Sequence, residues 1–464
     1  MKDRPGNDYL EFPVGASGAF PDREVERREI LLGEDTTNTC NIAMADVDGD
    51  GLDEIATPLT LGEKDCVRLY RGDGRLVWDN PDIRLYHAFY NDPSRPSGIL
   101  HMWHKCKHRH VLTKIKDFDN DGKLEVIVGD GPVYVLDALT GAVKSVFDLG
   151  GRVALWDIGH DSARGMNVLI ACADDLKSRP RIACVDQDGK EIWTVPTPGK
   201  CFCDCMHHGD LNLDGRPEIG FSIEEVKEFW VMDCDGRLLW KKNIPKELGD
   251  DPHIDDFLID RILPEDRPEA EGNQLLLVTG PNLLDKNGNI IWSREDKYHH
   301  AQKVLAADFQ PDRPGKEIYI VESYRRHAFL LTCDGEMIWE YDNFTKAREG
   351  YEYEDPRLGR AIGRLTTAGD IINWSGRGKT EIVQTEMGDT SPFYSGAERR
   401  KEIPPEEIRR FAHVLDSNGK AVSIFPIEDS PMCALAANVT ASPGEDIVMV
   451  GHTTSRIYIY SKKI

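Results

Sequence analysis

The stretch Ala45-Asp-Val-Asp-Gly-Asp-Gly-Leu-Asp-Glu-Ile55 contains the unit from which the rest of the chain is built. It is a calcium-type loop with oxygen ligands at positions 1, 3, 5, 7 and 9, which are Asp46, Asp48, Asp50, the carbonyl of Leu52, and Glu54. Carboxylates at alternate positions of a curled loop point inward at one hard cation. The bidentate Glu at position 12 of an EF-hand is missing, and apolar residues flank the loop on both sides. The stretch therefore predicts a strand, a metal loop and a second strand.

The same loop occurs twice more with the same spacing. Its second copy offers Asp117, Asp119, Asp121 and Glu125, and its third copy offers Asp210, Asn212, Asp214 and Glu218. We name the three copies loop 1 (46–54), loop 2 (117–125) and loop 3 (210–218), and we expect each to bind Ca²⁺ as a structural ion. Degenerate versions have lost the acidic spacing and are not expected to hold a metal; they lie at Asp308–Asp312 and near Asp157, Asp260, Asp370 and Asn438.

A fixed order of elements follows each loop. The second strand leads to a third strand, an Asx-Gly turn and a fourth strand centred on an aromatic residue, as in the run from Arg68 to Trp78. Short alternating runs bounded by Gly and Asp are typical of strands and hairpins, and we assign the Asx-Gly turns a hairpin role alone. The aromatic residue recurs roughly every 45 to 50 residues in mid-chain, and its copies are Trp78, Phe147, Trp193, Trp240, Trp292, Trp339 and Phe425. Four strands at this period are the signature of a β-propeller blade.

These units predict an all-β, eight-bladed propeller, with seven blades as the alternative count. Seven units are complete, and an eighth begins at Cys433 and ends before its fourth strand. Residues 24–32 can supply that strand, and a closed ring has no free sheet edges. We therefore expect one domain over residues 1–464, in which an N-terminal extension (1–23) precedes the closing strand (24–32).

Composition and charge argue against two classes of partner. The 464 residues include 57 Lys and Arg but 81 Asp and Glu, for a formal net charge of −24. Such a chain would repel the phosphates of a nucleic acid. No apolar run reaches the ~18 residues of a membrane span. We expect neither a nucleic-acid nor a membrane partner.

The cysteines and the start of the chain predict a cytoplasmic location, or secretion if a signal peptide has been removed. Eleven cysteines are scattered over a chain too long to need disulfides. The three in Cys201-Phe-Cys-Asp-Cys205 lack a second pair at zinc-finger spacing, and buried thiols are the better interpretation. The first residues, Met1-Lys-Asp-Arg, contain no apolar signal segment.

Histidines cluster at the predicted starts of the first strands. They are His108, His110, His207, His208, His253, His299 and His300. Since first strands line the channel of a propeller, these side chains should converge at one mouth, away from loops 1 to 3. Three insertions interrupt the period (79–109, 341–359 and 387–410) and add Tyr351, Tyr353, Arg357 and neighbouring Arg360. A mouth lined by His, Arg and Tyr is typical of a polar-ligand site, although a single His at a strand start is more often structural.

Three features together resemble a known enzyme family. They are the repeated Asp-x-Asp-x-Asp-Gly units, His208-Gly-Asp210 at the head of loop 3, and His300-Ala-Gln followed by Asp308-Phe-Gln-Pro-Asp-Arg-Pro-Gly315. They are similar to the eight-bladed, calcium-binding catalytic domain of the family 11 rhamnogalacturonan lyases, and the loops resemble FG-GAP or VCBS-type repeats. The resemblance implies a lyase that cleaves a uronic-acid-containing and rhamnose-containing polysaccharide or oligosaccharide, with Ca²⁺ bound. Ulvan lyases and oligogalacturonate lyases share this plan.

The resemblance also implies roles for residues of the mouth. β-Elimination needs a cation on the uronate carboxylate, a base for the C5 proton and an acid for the leaving oxygen. The candidates are His208 or His300 as base, Tyr351 or Tyr353 as acid, and Arg357 or Arg360 on the carboxylate, with His110 and His253 as further substrate contacts.

Two other functions fit the same sequence. A propeller glycosidase similar to α-L-rhamnosidases would use comparable polar groups and release saturated products. A non-catalytic, calcium-dependent propeller that binds carbohydrate or protein would not need converging His and Arg side chains.

Overall fold

The computed structural model describes most of the chain and leaves gaps in several connections. The described residues are 24–33, 36–37, 42–61, 64–85, 112–150, 152–174, 180–199, 206–248, 254–277, 281–294, 301, 303–322, 327–342, 363–376, 378–388, 411–419, 421–427, 431–451 and 455–463. They form an eight-bladed β-propeller of antiparallel sheets with almost no helix, which confirms the predicted fold class and blade number.

Each blade is built from consecutive strands, except that blade 8 combines the last three strands of the chain with the first one. Blades 1 to 4 use β2 Thr36–Thr37, β3 Ala43–Ala45, β4 Glu54–Leu61, β5 Lys64–Tyr70, β6 Leu76–Asn80; β7 Leu112–Lys116, β8 Glu125–Gly129, β9 Val133–Asp137, β10 Val143–Phe147; β11 Arg152–Asp161, β12 Met166–Asp174, β13 Arg181–Val185, β14 Glu191–Pro196; β15 Met206–Gly209, β16 Glu218–Ile223, β17 Glu228–Met232, β18 Leu238–Asn243. Blades 5 to 8 use β19 Phe257–Asp260, β20 Gln274–Leu277, β21 Asn282–Leu284, β22 Ile290–Ser293; β23 Lys303–Ala307, β24 Glu317–Glu322, β25 His327–Leu331, β26 Met337–Asp342; β27 Gly363–Ile372, β28 Glu381–Gly388, β29 Phe411–Leu415, β30 Ala421–Pro426; β31 Pro431–Ala437, β32 Asp446–Gly451, β33 Arg456–Lys462 and β1 Val25–Leu31.

The N-terminal strand closes the ring. β1 pairs antiparallel with β33 over its whole length, and the sheet order of blade 8 is β1-β33-β32-β31. Ile30 and Leu32 are buried in the apolar cluster between blades 8 and 1. The prediction that the chain start completes the last blade is confirmed.

Helix is limited to single turns in the described part of the chain. Two short 3-10 helices span Glu224–Val226 and Pro268–Ala270, and one π-helical turn spans Ile244–Leu248. Among the residues described, no helix is long and apolar enough to cross a membrane.

Six of the seven fourth-strand aromatics pack on a glycine turn of the next blade, and five of these turns are Asx-Gly. Trp240 of blade 4 donates from Nε1 to the carbonyl of Lys286 at 2.9 Å, and its ring covers Gly288 of blade 5. The other aromatic–glycine pairs are Trp78–Gly141, Phe147–Gly189, Trp193–Gly236, Trp292–Gly335 and Trp339–Gly419. The hairpin role predicted for the Asx-Gly turns is therefore incomplete, because five of them also receive the aromatic ring of the preceding blade, whereas Gly74 faces Ile30. We name these contacts the aromatic clasps.

The second strand of each blade carries a buried polar residue at or beside its first position. These residues are Glu54, Glu125, Asn167, Glu218, Gln274, Glu317, Glu381 and Asp446. All except Asn167 accept a backbone N–H from the loop before the strand, as Glu54 does from Val47 and Glu317 from Gln310. Buried N–H groups need such partners. The residue at position 9 of loops 1 to 3 therefore has a structural role. Its equivalents in blades without the acidic spacing hold the preceding loop in the same way.

Candidate functional site

The first strands of the blades stand side by side around the axis, as β11 beside β15 and β15 beside β19. Charged and imidazole side chains follow one another along them. We name this group the inner-strand belt: Lys114 in β7, Asp157 in β11, His207 and His208 in β15, Asp256 before β19, Lys303 in β23 and Asp370 in β27. The belt passes from blade 2 to blade 7 and forms the candidate site.

Asp157 joins three blades. Its Oδ2 lies 2.5 Å from Nδ1 of His208 and accepts the backbone N–H of His208 at 3.1 Å, while its Oδ1 pairs with the ammonium of Lys114. Burial alone would raise the pKa of Asp157, but the hydrogen bond from His208 and the charge of Lys114 lower it well below its usual range. Asp157 is therefore a buried carboxylate that stays ionised.

The contact fixes the tautomer of His208. An ionised carboxylate only accepts hydrogen bonds, so Nδ1 of His208 carries a proton and, in the neutral form of the ring, the lone pair is on Nε2. The His208 side chain is 28% exposed, in contrast to Asp157 at 4%. A histidine held in this way by a buried carboxylate has the orientation required of a general base.

Asp256 repeats the pattern on the other side of β15. Nε2 of His207 lies 3.2 Å from its Oδ1, Nζ of Lys303 lies 3.3 Å from its Oδ2, and the N–H of Val304 donates to Oδ2 at 3.0 Å. Burial alone would raise the pKa of Asp256, but the charge of Lys303 and the hydrogen bond from His207 lower it to about 2. The ring of His207 packs edge-on against Phe257.

At Asp370 the carboxylate of the belt is held by backbone N–H groups and not by a direct contact with a Lys or His side chain among the described contacts. Asp370 accepts N–H groups from Ile371 and, across the next junction, from Ala436, and burial raises its pKa. In β7, burial lowers the pKa of Lys116. Throughout the belt, carboxylates lie beneath the surface and the Lys and His nitrogens are the more accessible groups. The belt therefore presents cations and imidazoles to a ligand.

Loops 1 and 2 share one arrangement of carboxylates. In loop 1, Asp46 accepts the N–H groups of Gly49, Asp50 and Gly51, which curls the backbone around it. Asp117 does the same for Asp121 and Gly122 in loop 2. Carboxylate oxygens of Asp46, Asp48 and Asp50, and of Asp117, Asp119 and Glu125, lie within 4.8 Å of one another. This donor set suits a hard cation.

A protein cation already faces each of these two groups. The guanidinium of Arg71 contacts Asp48 and lies 2.6 Å from Asp50. Nζ of Lys144 lies 2.6 Å from Asp119 and 2.7 Å from Glu125.

Loop 3 differs from loops 1 and 2. Asp210 accepts the N–H groups of Asp214 and Gly215, but the side-chain amide of Asn212 donates to Glu218 at 2.8 Å. Burial and the nearby Asp214 raise the pKa of Glu218 to about 7, against the effect of backbone hydrogen bonds. Among the degenerate loops, Asp260 pairs with Lys316.

Most predicted mouth residues lie outside the described residues. His208 is described; His110, His253, His300, Tyr351, Tyr353, Arg357 and Arg360 are not, nor is most of the three insertions. His207 and His208 lie within β15 and not ahead of it, and His208 is two residues from the start of loop 3. The pairing of β15 with β16 explains this difference from the prediction. Gly209 lies opposite Glu218 and His208 lies opposite Ile219, so the histidines are part of the paired strand.

Sequence reasoning missed the partners of the histidines. Asp157 counted only as the remnant of a degenerate loop, and Lys114, Asp256 and Lys303 were not considered. A usable signal was present, because each of these residues places a charge in or beside a first strand.

Comparisons with known proteins support the fold and leave the function open. The sequence model of one family, described as outer membrane protein assembly factor BamB, matches residues 178–398, just under half of the chain. This family is not the FG-GAP or VCBS type that the sequence predicted. No curated protein matches.

Among solved structures, the chain is similar to the exotype rhamnogalacturonan lyase YesX with a TM-score of 0.57, 16% identity, and coverage of 94% of this chain and 76% of that one. It is similar to the Bacillus licheniformis rhamnogalacturonan lyase PL11 with a TM-score of 0.51, 17% identity, and coverage of 92% and 72%. Saccharomyces cerevisiae Sqt1 gives a TM-score of 0.52 at 8% identity, with coverage of 93% and 98%. At these identities the likeness shows a shared propeller fold.

Proposed function

We propose that this protein is a lyase that cleaves a uronic-acid-containing, rhamnogalacturonan-like glycan by β-elimination, with His208 as the base. The observation that carries the proposal is the pair of Asp157 and His208, in which a buried ionised carboxylate holds Nδ1 of an accessible imidazole and Nε2 has no partner among the described residues. The fold likeness to two rhamnogalacturonan lyases is consistent with it.

The reaction assigns a task to each group of the belt. Nε2 of His208 takes the C5 proton, the electron pair forms the C4–C5 double bond, and the bond from C4 to the leaving oxygen breaks. The C5 proton is weakly acidic, so the neighbouring carboxylate needs a cation. Lys114 is the described candidate, because it pairs with the same carboxylate as His208. The proposal keeps Arg357 or Arg360 as further cations.

The leaving oxygen needs a proton donor. Tyr351 and Tyr353 remain the proposed acids from the sequence, and the balance is complete when one of their hydroxyl protons reaches that oxygen. The imidazolium of His208 then returns its proton to solvent, and the tyrosinate takes a proton back from solvent, so that both groups regain their starting states.

Calcium is proposed as a structural ion. Asp210, Asn212, Asp214 and Glu218 of loop 3 would hold it, and it would neutralise their charge where the described residues supply no cation of their own. It takes no part in the proton transfers above.

An ultraviolet assay tests the proposal. Incubation with rhamnogalacturonan and ulvan oligosaccharides should produce an unsaturated uronate, which absorbs because its double bond is conjugated with the carboxylate. Replacing His208 with Asn, which keeps an N–H for Asp157, should lower the rate on the order of 10²- to 10⁴-fold with little change in melting temperature. His160→Asn is the matched control, because His160 also lies in a first strand but bonds to the neutral Asn167.

The alternatives give different results in the same assay. Cleavage without new absorbance would support a glycosidase. Tight binding without cleavage would support a binding propeller, which the BamB family match favours. Equal activity of His208→Asn and wild type would refute His208 as the base.

A further inference from the structure

Loops 1 and 2 present the same three carboxylate oxygens to a cation. In each loop, the carboxylates at positions 3, 5 and 9 each use one oxygen to accept a backbone N–H. Oε2 of Glu54 accepts the N–H of Val47, and Oε2 of Glu125 accepts the N–H of Phe118. The second oxygen of each residue points to one common place. Because the backbone bonds hold the carboxylates in position, that place carries concentrated negative charge.

Two unrelated elements deliver a cation to this place. In blade 1 it is Arg71, which follows β5; it contacts Asp48 and Asp50 and lies 3.7 Å from Glu54. In blade 2 it is Lys144, which belongs to the fourth strand, β10. Its Nζ lies 2.6 Å from Asp119, 3.7 Å from Asp121 and 2.7 Å from Glu125.

Loop 3 lacks both devices. The residue after β17, which corresponds to Arg71, is Asp233, and the second residue of β18, which corresponds to Lys144, is Leu239. Position 3 is Asn212, so loop 3 has one carboxylate fewer at positions 1, 3, 5 and 9. The basic residue within loop 3, Arg216, is held by Asp161 and Asp235. The loops with four carboxylates therefore have a tethered cation, and the loop with three does not.

We propose that Arg71 and Lys144 are built-in replacements for calcium, so that loops 1 and 2 are closed by the protein's own cations and do not take up the metal. The proposal departs from the equal treatment of the three loops that their spacing suggests. Because Arg71 and Lys144 are attached to the chain, they lose less translational freedom on pairing than a free calcium ion loses on binding. Each of them therefore competes with calcium as a cation at high effective concentration.

Calcium titration of the full chain tests the proposal. By calorimetry after chelation, wild type and Asp119→Asn should bind the same number of calcium ions. Lys144→Met should bind one more, and its loop 2 should gain at least about tenfold in calcium affinity, which corresponds to about 1.4 kcal/mol. Asp119→Asn in the Lys144→Met background should remove the new site.

A second measurement separates the tethered cation from an ordinary surface pair. With chelator present, Lys144→Met should melt lower than wild type, and calcium should restore the loss. Lys241→Met is the matched control, since Lys241 also lies in a fourth strand but pairs with Glu228 outside any such loop; calcium should not change its melting difference from wild type.

Two results would overturn the proposal. One is a wild-type calcium site that disappears in Asp119→Asn. The other is a Lys144→Met protein that binds calcium no better than wild type. If Lys144→Met fails to fold, the comparison of wild type with Asp119→Asn decides alone.

Discussion

Replacing Gly288 with Ala should destabilise the propeller more than replacing Gly150 with Ala, because only the Gly288 change introduces a steric clash into an aromatic clasp. Both glycines have positive φ, +80° and +77°. A Cβ at Gly150 would meet nothing within 4 Å, whereas a Cβ at Gly288 would lie 2.7 Å from Cδ2 of Trp240. The pair of variants therefore separates backbone strain from the contact between blades.

The magnitudes follow from the two structural terms. A left-handed conformation costs an L-residue about 1–2 kcal/mol, which is the expectation for Gly150→Ala. At Gly288 the overpacked ring adds about 1–3 kcal/mol. If Trp240 moves away, its 2.9 Å hydrogen bond to Lys286 is lost as well, at about 1 kcal/mol. We expect a difference between the variants of about 1–4 kcal/mol.

Urea unfolding followed by tryptophan fluorescence measures this difference. The double variant Trp240→Leu with Gly288→Ala should show a smaller effect of the alanine than the single variant, because the ring is gone. Equal destabilisation by Gly288→Ala and Gly150→Ala would refute the clasp as an energetic contact.

Two further predictions concern ring closure and acid. Deleting residues through Leu32 removes β1 and leaves β33 with a free edge, so the truncated protein should aggregate or melt well below wild type; size-exclusion chromatography and calorimetry check this, and an equally stable monomer would contradict it. The folded pKa of Asp256 is lowered to about 2, so its ionised form stabilises the fold at neutral pH, and roughly 2 kcal/mol should be lost as pH falls from about 4 to 2. Asp256→Asn should lack this pH-dependent part in urea unfolding at pH 6 and pH 3, and parallel losses in both proteins would argue against it.

The architecture was predictable because each blade repeats local chemistry. Turn glycines, alternating apolar residues and one aromatic per period are all visible in the sequence, and so was the missing strand that residues 24–32 supply. The clasps were less visible. Gly288 and Trp240 belong to different blades, and the reason for the glycine is a ring 48 positions away that only the packed structure brings to it.

The site was less predictable because its decisive contacts cross between blades. His208 was a candidate from the sequence, but its partner Asp157 belongs to another blade and counted only as the remnant of a degenerate loop. The calcium-type loops show the same limit. Their spacing is visible in the sequence, yet the cations that face them, Arg71 and Lys144, come from other positions in the blade.

Asp157 has two tasks, and this decides how variants of the site should be interpreted. The carboxylate that orients the ring of His208 also accepts its backbone N–H and so ties blade 3 to blade 4. Removing it would leave the backbone N–H of His208 and the Lys114 ammonium without this partner, which costs stability as well as orientation. Nε2 of His208 has no such duty in the described contacts. Loss of activity in His208→Asn therefore reports on chemistry, whereas loss in Asp157→Asn would mix chemistry with the integrity of the ring.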